Sequence, residues 1–515
     1  MAAKTVLDRD LKKFSRLEKA ANAASQTSLA LGLGFVFLLL VLGFVVFQAG
    51  GIQGNMIIIA AGVIGGYMAL NIGANDVANN VGPAVGSKAL TIVGALAIAI
   101  VFETAGAVLA GGDVVKTISK GIVYPDAMPD TDTFIWVMMA ALLAAALWIN
   151  LATYIGAPVS TTHSIVGGVM GAGIAAAGLS AVNWSTFTAI AASWVISPLL
   201  GGLIAAGFLA AIKYLIIFKD DKVEAARKWV PVFVSIMAAF FSVYLLMKGL
   251  KRVWTPDGQT IAAIGVAVLV ITYLAVRPLV ARASRGLENR RRSVSNLFTI
   301  PLICAAALLS FAHGANDVAN AIGPLAAIVS AVATGGIAAE VVFPAWVLFV
   351  GALGISTGLL LYGPKLIRTV GEKITKLDRA RAFAVALSAA ITVIVASALG
   401  LPVSSTHIAI GAVFGVGFFR EFLVQRRKNH RLALADEPGA QPGPKTSAAE
   451  ITGAAEAGMV LIKKDAKKLK KARKRKLVRR RYVTTIIAAW LVTVPAAALL
   501  SAMIFFTLRG MLLQT

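Results

Sequence analysis

Two short blocks of polar residues each occur twice in this chain, and their residue types could bind ions. The first block, residues 73–80, reads GANDVANN and returns at 314–321 as GANDVANA. The second block, residues 156–163, reads GAPVSTTH and returns at 400–407 as GLPVSSTH. The first block keeps seven of eight residues and both blocks recur in the same order, so the chain contains an internal repeat.

The first block supplies carboxylates and amides within apolar sequence. An unpaired carboxylate there is costly, so each acid requires a partner, water or a bound ion. Carboxylate oxygens suit a small cation, and Asn side chains both donate and accept hydrogen bonds. A dianion near two carboxylates would be repelled, which predicts bound cations or protons between them. The alternative is that the amides only join helices. The candidates are Asn75, Asp76, Asn79, Asn316, Asp317 and Asn320.

The second block supplies three consecutive hydroxyls after a proline, followed by a glycine-rich apolar stretch. Hydroxyls at the start of a helix, beside free backbone N–H groups and the positive end of the helix dipole, form a site for a tetrahedral oxyanion. Ordinary N-capping is the alternative interpretation. The candidates are Ser160, Thr161, Thr162, Ser404, Ser405 and Thr406.

Glu103 is an acid in an otherwise apolar run and has no counterpart in the other half. Aligning Gly106 with Gly358 places Ile355 at the equivalent position. A buried acid found in one half only is a candidate for an additional cation or proton site, and a structural pair is the alternative.

Three histidines lie in or beside the repeated blocks. His163 and His407 end the second block, where a histidine could titrate or donate a structural hydrogen bond. His313 precedes Gly314, and Ile72 stands at the equivalent place in the first half. Because His313 is not repeated, we expect a structural role for it.

Composition identifies the elements that must position these residues. Of 515 residues, 58% are hydrophobic and 14% are charged, which is far more apolar than a soluble chain. Ten to twelve hydrophobic segments occur, and about 20 helical residues cross a bilayer. The sequence predicts an all-α polytopic membrane protein of two inverted-topology repeats, with broken helices or re-entrant hairpins near the midplane. It shows no nucleotide-binding Gly-Lys-Ser/Thr loop and no catalytic set, so we do not expect an enzyme.

The repeats divide the chain into seven segments. The two repeats cover 55–218 and 295–419, and connecting spans with a basic loop cover 219–294. The remaining segments are a basic cytoplasmic N-terminus (1–28), an extra first span (29–54), a basic and flexible cytoplasmic loop (420–481) and a last span (482–515).

The net charge of +25 comes mainly from basic loops. Short loops rich in Lys and Arg mark the cytoplasmic face of a membrane protein, which predicts a cytoplasmic N-terminus. The clusters at 282–292 and 463–481 are expected to contact anionic lipid, and we expect no nucleic acid partner.

The paired GANDVAN and PVS(T/S)TH blocks resemble the inorganic phosphate transporter (PiT) family of secondary carriers. The resemblance covers nearly all of 55–420 and the last span. It implies multi-pass insertion in the cell membrane and cation-coupled symport of inorganic phosphate, without a cofactor. It places Asp76 and Asp317 near the cations, and the asparagines and hydroxyls around the anion. The run Phe102-Glu103-Thr104 looks more like the sodium-coupled branch than the proton-coupled one.

Several alternatives stay open on sequence alone. A sulfate or related oxyanion permease of the same fold is the main rival, and a membrane sensor, a scaffold or a channel are others. The coupling ion (Na⁺ or H⁺), a metal travelling with phosphate, and assembly as a homodimer are also left open.

Overall fold

The computed structural model describes residues 6–52, 54–76, 78–155, 159–251, 254–337, 341, 344–373, 377–435 and 481–512. Residues 156–158 of the second repeated block lie outside these ranges. Most of the predicted basic and flexible loop, residues 436–480, also lies outside them.

The described residues are almost entirely helical, and twelve helices among them are long and apolar enough to cross a membrane. An isolated bridge joins Val123 to Val182, and no strand is found in the described ranges. The prediction of an all-α polytopic membrane protein is therefore confirmed. The helices are α1 (Val6–Ala49), α2 (Asn55–Asn75), α3 (Ala78–Gly86), α4 (Ile92–Ala110), α5 (Gly112–Lys116), α6 (Thr131–Ile155), α7 (Thr161–Ala177), α8 (Trp184–Ile212), α9 (Lys222–Tyr244), α10 (Gly258–Ala283), α11 (Arg291–Leu297), α12 (Thr299–Thr334), α13 (Ala345–Lys373), α14 (Arg379–Ala398), α15 (Ser405–Ala435) and α16 (Arg481–Leu512).

Each half contains a hairpin of two helices whose tip carries the second repeated block. In the first half the hairpin is α6–α7, and the bridge between Val123 and Val182 brings its two outer ends together. Its tip lies against the end of α2, where the Asn75 amide donates to the Val159 carbonyl oxygen at 3.2 Å. In the second half the hairpin is α14–α15. Both hairpins therefore present their hydroxyls inside the protein.

The two halves interdigitate, because equivalent glycines make reciprocal contacts. A Cβ on Gly73 would collide with the backbone of Ile355, and a Cβ on Gly314 would collide with the backbone of Glu103. Helix α2 therefore packs tightly on α13, and α12 packs equally tightly on α4. This matches the alignment that places Ile355 opposite Glu103.

The long spans α8 and α16 each pack on the hairpin of the other half. A Cβ on Gly411 of α15 would collide with the Pro198 carbonyl of α8. A Cβ on Gly171 of α7 would collide with the backbone of Ala498 on α16. The last span thus takes the place beside the first hairpin that α8 takes beside the second.

Five spans besides the hairpin α6–α7 lie between the starts of the two repeats, at α2 and α12. They are α2–α3, α4, α8, α9 and α10, and the bridge between Val123 and Val182 brings the outer ends of that hairpin together. An odd number favours opposite orientations of the halves, and the inverted arrangement stays a prediction.

Helix α15 continues past the predicted boundary at residue 419 to Ala435. The sequence from 420 onward is rich in Arg, Leu and Ala, which are good helix formers. The basic segment after the second repeat therefore begins as a continuation of α15.

Candidate functional site

The N-termini of α7 and α15 meet inside the protein. The Thr162 hydroxyl of the first hairpin donates to the Val403 carbonyl oxygen of the second at 2.9 Å. The rings of His163 and His407 follow, with centroids 5.1 Å apart. Two helix N-termini, each with a hydroxyl-rich first turn, thus face one buried region, an arrangement that favours negative charge.

Ser160 and Ser404 cap these two helices. The Ser160 hydroxyl oxygen accepts from the His163 backbone N–H at 3.2 Å, and the Ser404 oxygen accepts from the His407 N–H at 3.3 Å. N-capping is therefore a role of both residues in this structure. Each hydroxyl still carries a hydrogen that it can donate.

Asp76 connects the two hairpins. It lies just after α2, at the interruption between α2 and α3. Its Oδ2 accepts from the Thr161 hydroxyl at 2.8 Å, and its Oδ1 accepts from the Thr406 hydroxyl at 2.9 Å. The Asn75 amide donates to the same Oδ1 at 3.2 Å. One carboxylate thus holds the first turns of α7 and α15 together.

Asn79 and Asn320 cross between the halves. The Asn79 amide of the first half donates to the Thr406 hydroxyl of the second at 2.9 Å. The Asn320 amide of the second half donates to the Thr161 and Thr162 hydroxyls of the first at 3.2 and 3.1 Å. Each half therefore positions the hydroxyls of the other.

Asn316 holds the backbone of the second hairpin tip. Its amide donates to the Leu401 carbonyl oxygen at 3.2 Å and to the Ser397 hydroxyl at 2.9 Å. Its oxygen accepts from the Val403 N–H at 3.3 Å. In the first half the Asn75 amide also bonds the hairpin tip, but it donates to the carbonyl oxygen of Val159. In this conformation both amides position the hairpins.

Asp317 belongs to a chain of buried ionisable groups. Its Oδ2 accepts from the Ser405 hydroxyl at 2.8 Å and lies 2.9 Å from His313 Nε2. His313 Nδ1 lies 3.2 Å from Glu103 Oε1, which also accepts from the Asn80 amide at 2.9 Å. A single imidazole thus joins a carboxylate of α12 to the unrepeated acid of α4.

His313 and Asn80 are the contributors that the sequence analysis missed. We assigned His313 a structural role because Ile72 stands at its equivalent position. The available signal was its spacing, since residues four apart on a helix are neighbours and His313 precedes Asp317 by four. Asn80 is also unrepeated, because Ala321 replaces it in the second half.

Every predicted site residue is buried and contributes to this region, including Glu103. Asp76, His313 and Asp317 each present one ligand atom, and these three atoms lie within 4.8 Å of one another. Several buried oxygens near them accept from no donor among the described residues, namely Asn80 Oδ1, Glu103 Oε2, Asp317 Oδ1 and Asn320 Oδ1. Because hard oxygen donors suit small cations, the acidic side of the region fits a cation and the hydroxyl side fits an anion.

A multi-pass helical membrane protein with a buried polar site between two repeated hairpins has the architecture of a transporter. Residues 72–501 match the phosphate transporter family. The chain belongs to that family, which is a transporter family and not an enzyme class, and the cell membrane is its expected location.

Similar proteins agree with this membership. A Helicobacter pylori (strain J99) protein named "Putative phosphate permease" is 48% identical, over 97% of this chain and 98% of the relative. A Thermococcus kodakarensis protein with the same description is 38% identical, over 86% of this chain and 95% of the relative. A solved structure described as the sodium-dependent phosphate transporter is similar with a TM-score of 0.74 and 35% identity, covering 88% of this chain and 99% of that one.

Proposed function

We propose that this protein is a secondary active transporter that carries inorganic phosphate across the cell membrane together with a cation, with sodium favoured over the proton. The observation that carries the proposal is the meeting of two hydroxyl-bearing helix N-termini with buried carboxylates that retain free oxygen acceptors. One side of the site suits an oxyanion and the other suits a small cation.

The residues divide into two groups by chemistry. The anion is held by hydroxyls and amides that can turn their donors toward it. The cation is held by carboxylates. The anion group is Asn75, Asn79, Ser160, Thr161, Thr162, Asn316, Asn320, Ser404, Ser405 and Thr406, and the cation group is Asp76, Asp317 and Glu103. Asp76 and Asp317 also contact the anion group, because their carboxylates accept hydrogen bonds from its hydroxyls.

Coupling follows from electrostatics. Phosphate is a mono- or dianion near neutral pH, and three buried carboxylates repel it strongly in a region of low dielectric. A cation bound among the carboxylates removes that repulsion and allows the anion to approach the hydroxyls. Phosphate therefore binds with its coupling cation, which is the requirement for symport. His313, between Asp317 and Glu103, offsets part of the negative charge when it is protonated.

Two observations support sodium over the proton. The acidic side of the site offers several oxygen atoms rather than one shared proton position, and small metal cations are bound by sets of oxygens. The similar solved structure is also described as sodium-dependent.

The test is uptake of labelled phosphate by purified protein in liposomes, with sodium and proton gradients imposed separately. We expect saturable uptake that follows the sodium gradient and is not blocked by excess sulfate. Uptake driven only by the proton gradient would show that the coupling ion is the proton and not sodium. Sulfate transport without phosphate uptake would contradict the proposed substrate, and flux that never saturates would indicate a channel.

A further inference from the structure

A second cluster of charges lies away from the central site, where α8, α11 and α14 meet on the side that the basic loops mark as cytoplasmic. A small cavity that is open to the surface lies there. Its charged lining comprises Lys213, Arg291 and Arg381 against one acid, Asp378. The described residues that line the cavity therefore carry two excess positive charges.

The two arginines share one carboxylate oxygen. Arg381 Nη2 lies 3.0 Å from Asp378 Oδ2, and Arg291 Nη2 lies 3.3 Å from the same atom. Asp378 Oδ1 is already engaged, because it accepts from the Arg381 backbone N–H at 3.0 Å as the cap of α14. Burial would raise the pKa of the Asp378 carboxyl, but the bond and charge of Arg381 hold that pKa below its usual value. Asp378 is thus an anion that already forms ion pairs with the guanidinium groups of Arg381 and Arg291.

Arg381 retains donors that nothing in the described residues accepts. Its side chain is only 12% exposed, and its Nε and Nη1 atoms are buried without a hydrogen-bond partner. Arg420 of α15 adds a further positive charge that interacts with those of Arg381 and Arg291. Because buried charged groups normally have all their hydrogen bonds met, these donors require an acceptor that the described chain does not provide.

We propose that this cavity binds a phosphate oxyanion, either the headgroup phosphate of an anionic lipid or free inorganic phosphate. A buried guanidinium donates charge-assisted hydrogen bonds to phosphate oxygens, and Nε and Nη1 of Arg381 each retain an N–H group for such a bond. Apolar side chains of α8, Leu209 and Ile212, line its other wall, and basic pockets between cytoplasmic helix ends are suited to lipid headgroups. This site is independent of the proposed central site.

The lipid source is tested by native mass spectrometry of the full-length protein in detergent, titrated with phosphatidylglycerol or with zwitterionic phosphatidylcholine. We expect tight retention of phosphatidylglycerol, weakened roughly tenfold in Arg381→Gln and in Arg291→Gln. Arg285→Gln is the matched control, since Arg285 is an exposed arginine outside the cavity lining, and it should leave retention unchanged. Arg381→Lys keeps the positive charge but loses the planar guanidinium. Its retention of phosphatidylglycerol should lie between that of the unchanged protein and that of Arg381→Gln.

The free-phosphate source is tested on the same proteins without lipid, by equilibrium binding of labelled phosphate in an Asp76→Asn background. Binding that remains in this background and is lost on adding Arg381→Gln would assign the cavity to free phosphate. Arg291→Gln serves as a second variant if Arg381→Gln fails to fold, because the Arg291 side chain is 55% exposed. If neither variant changes the binding of phosphatidylglycerol or of phosphate, the proposal is wrong.

Discussion

The two halves of the central site carry nearly the same block but use it differently. In the first half α2 ends at Asn75, and the two oxygens of Asp76 accept from hydroxyls of both hairpins. In the second half α12 runs without interruption through Asn316 and Asp317. There Asp317 binds one hairpin hydroxyl and the imidazole of His313. Repeated residues thus build the frame of the site, and unrepeated ones make its two sides chemically different.

This comparison teaches where coupling can originate. A site with exact twofold symmetry would give both carboxylates the same surroundings. Here Glu103, His313 and Asn80 cluster around Asp317, and their equivalents are Ile355, Ile72 and Ala321. We infer that the Asp317 side is the more cation-selective one, and that the Asp76 side links ion binding to the positions of the hairpins.

The largest expected effect comes from removing either repeated carboxylate. Asp76→Asn and Asp317→Asn should each lower the initial rate of phosphate uptake in liposomes about 100-fold or more, because breaking a buried charged network costs about 3–5 kcal/mol. Asp257→Asn is the control, since Asp257 caps α10 at the surface and Asn caps equally well. If Asp317→Asn transported normally while Asp76→Asn did not, Asp317 would be only a structural partner of His313.

The next effect separates the hydroxyls of the second hairpin. Thr406 donates to Asp76 and accepts from Asn79, whereas Ser405 donates to Asp317. Thr406→Val should therefore lower uptake about thirtyfold, because a hydrogen bond to a charged group contributes about 1.5–3 kcal/mol. Ser405→Ala should have a smaller effect, since His313 still contacts Asp317. Thr406→Ser keeps the hydroxyl and should transport nearly normally; equal losses in Thr406→Ser and Thr406→Val would assign the effect to packing.

The asymmetry itself is tested through Glu103. Glu103→Gln should raise the half-saturating sodium concentration roughly tenfold to twentyfold, because one charge about 10 Å from a cation contributes about 1.7 kcal/mol at an effective dielectric constant of about 20. The matched control is Ile355→Leu at the equivalent position of the second half, where we expect little change. The measurement is uptake against sodium concentration at fixed phosphate, and an unchanged sodium dependence in Glu103→Gln would remove this acid from the cation site.

The repeated motifs made much of this arrangement predictable. Two nearly identical pairs of blocks carry acids and hydroxyls, and burial of these blocks among apolar spans requires partners for the charges. The sequence therefore indicated the helical fold and the repeated polar residues that the structure brings together. The alignment of Gly106 with Gly358 also identified Glu103 as an acid with no counterpart in the other half.

The rest depends on contacts between distant segments. The sequence does not predict that Asn79 donates to the Thr406 hydroxyl of the other half, or that α16 packs on the first hairpin. Those contacts depend on how the two halves pack against each other. The contacts of His313 with Asp317 and Glu103 were not predicted, since symmetry was the only criterion applied to it. The cavity at Arg381 was also beyond reach, because its residues come from three helices with no shared motif.

The smallest expected effect should be equal in the two halves, and it separates capping from substrate binding. Ser160 and Ser404 cap equivalent helices with nearly equal geometry. Replacing a serine cap by alanine costs about 1 kcal/mol of stability, whereas glycine costs only a few tenths. Ser160→Ala and Ser404→Ala should thus lower thermal stability in detergent by similar amounts, and the glycine variants should lower it less.

Alanine and glycine both remove the hydroxyl, so if the serines help to hold phosphate, the KM for phosphate should rise equally in the alanine and glycine variants. A KM that instead follows the loss of stability would leave these two serines as caps, and would assign the anion to the threonines, Ser405 and the asparagines that surround Asp76 and Asp317.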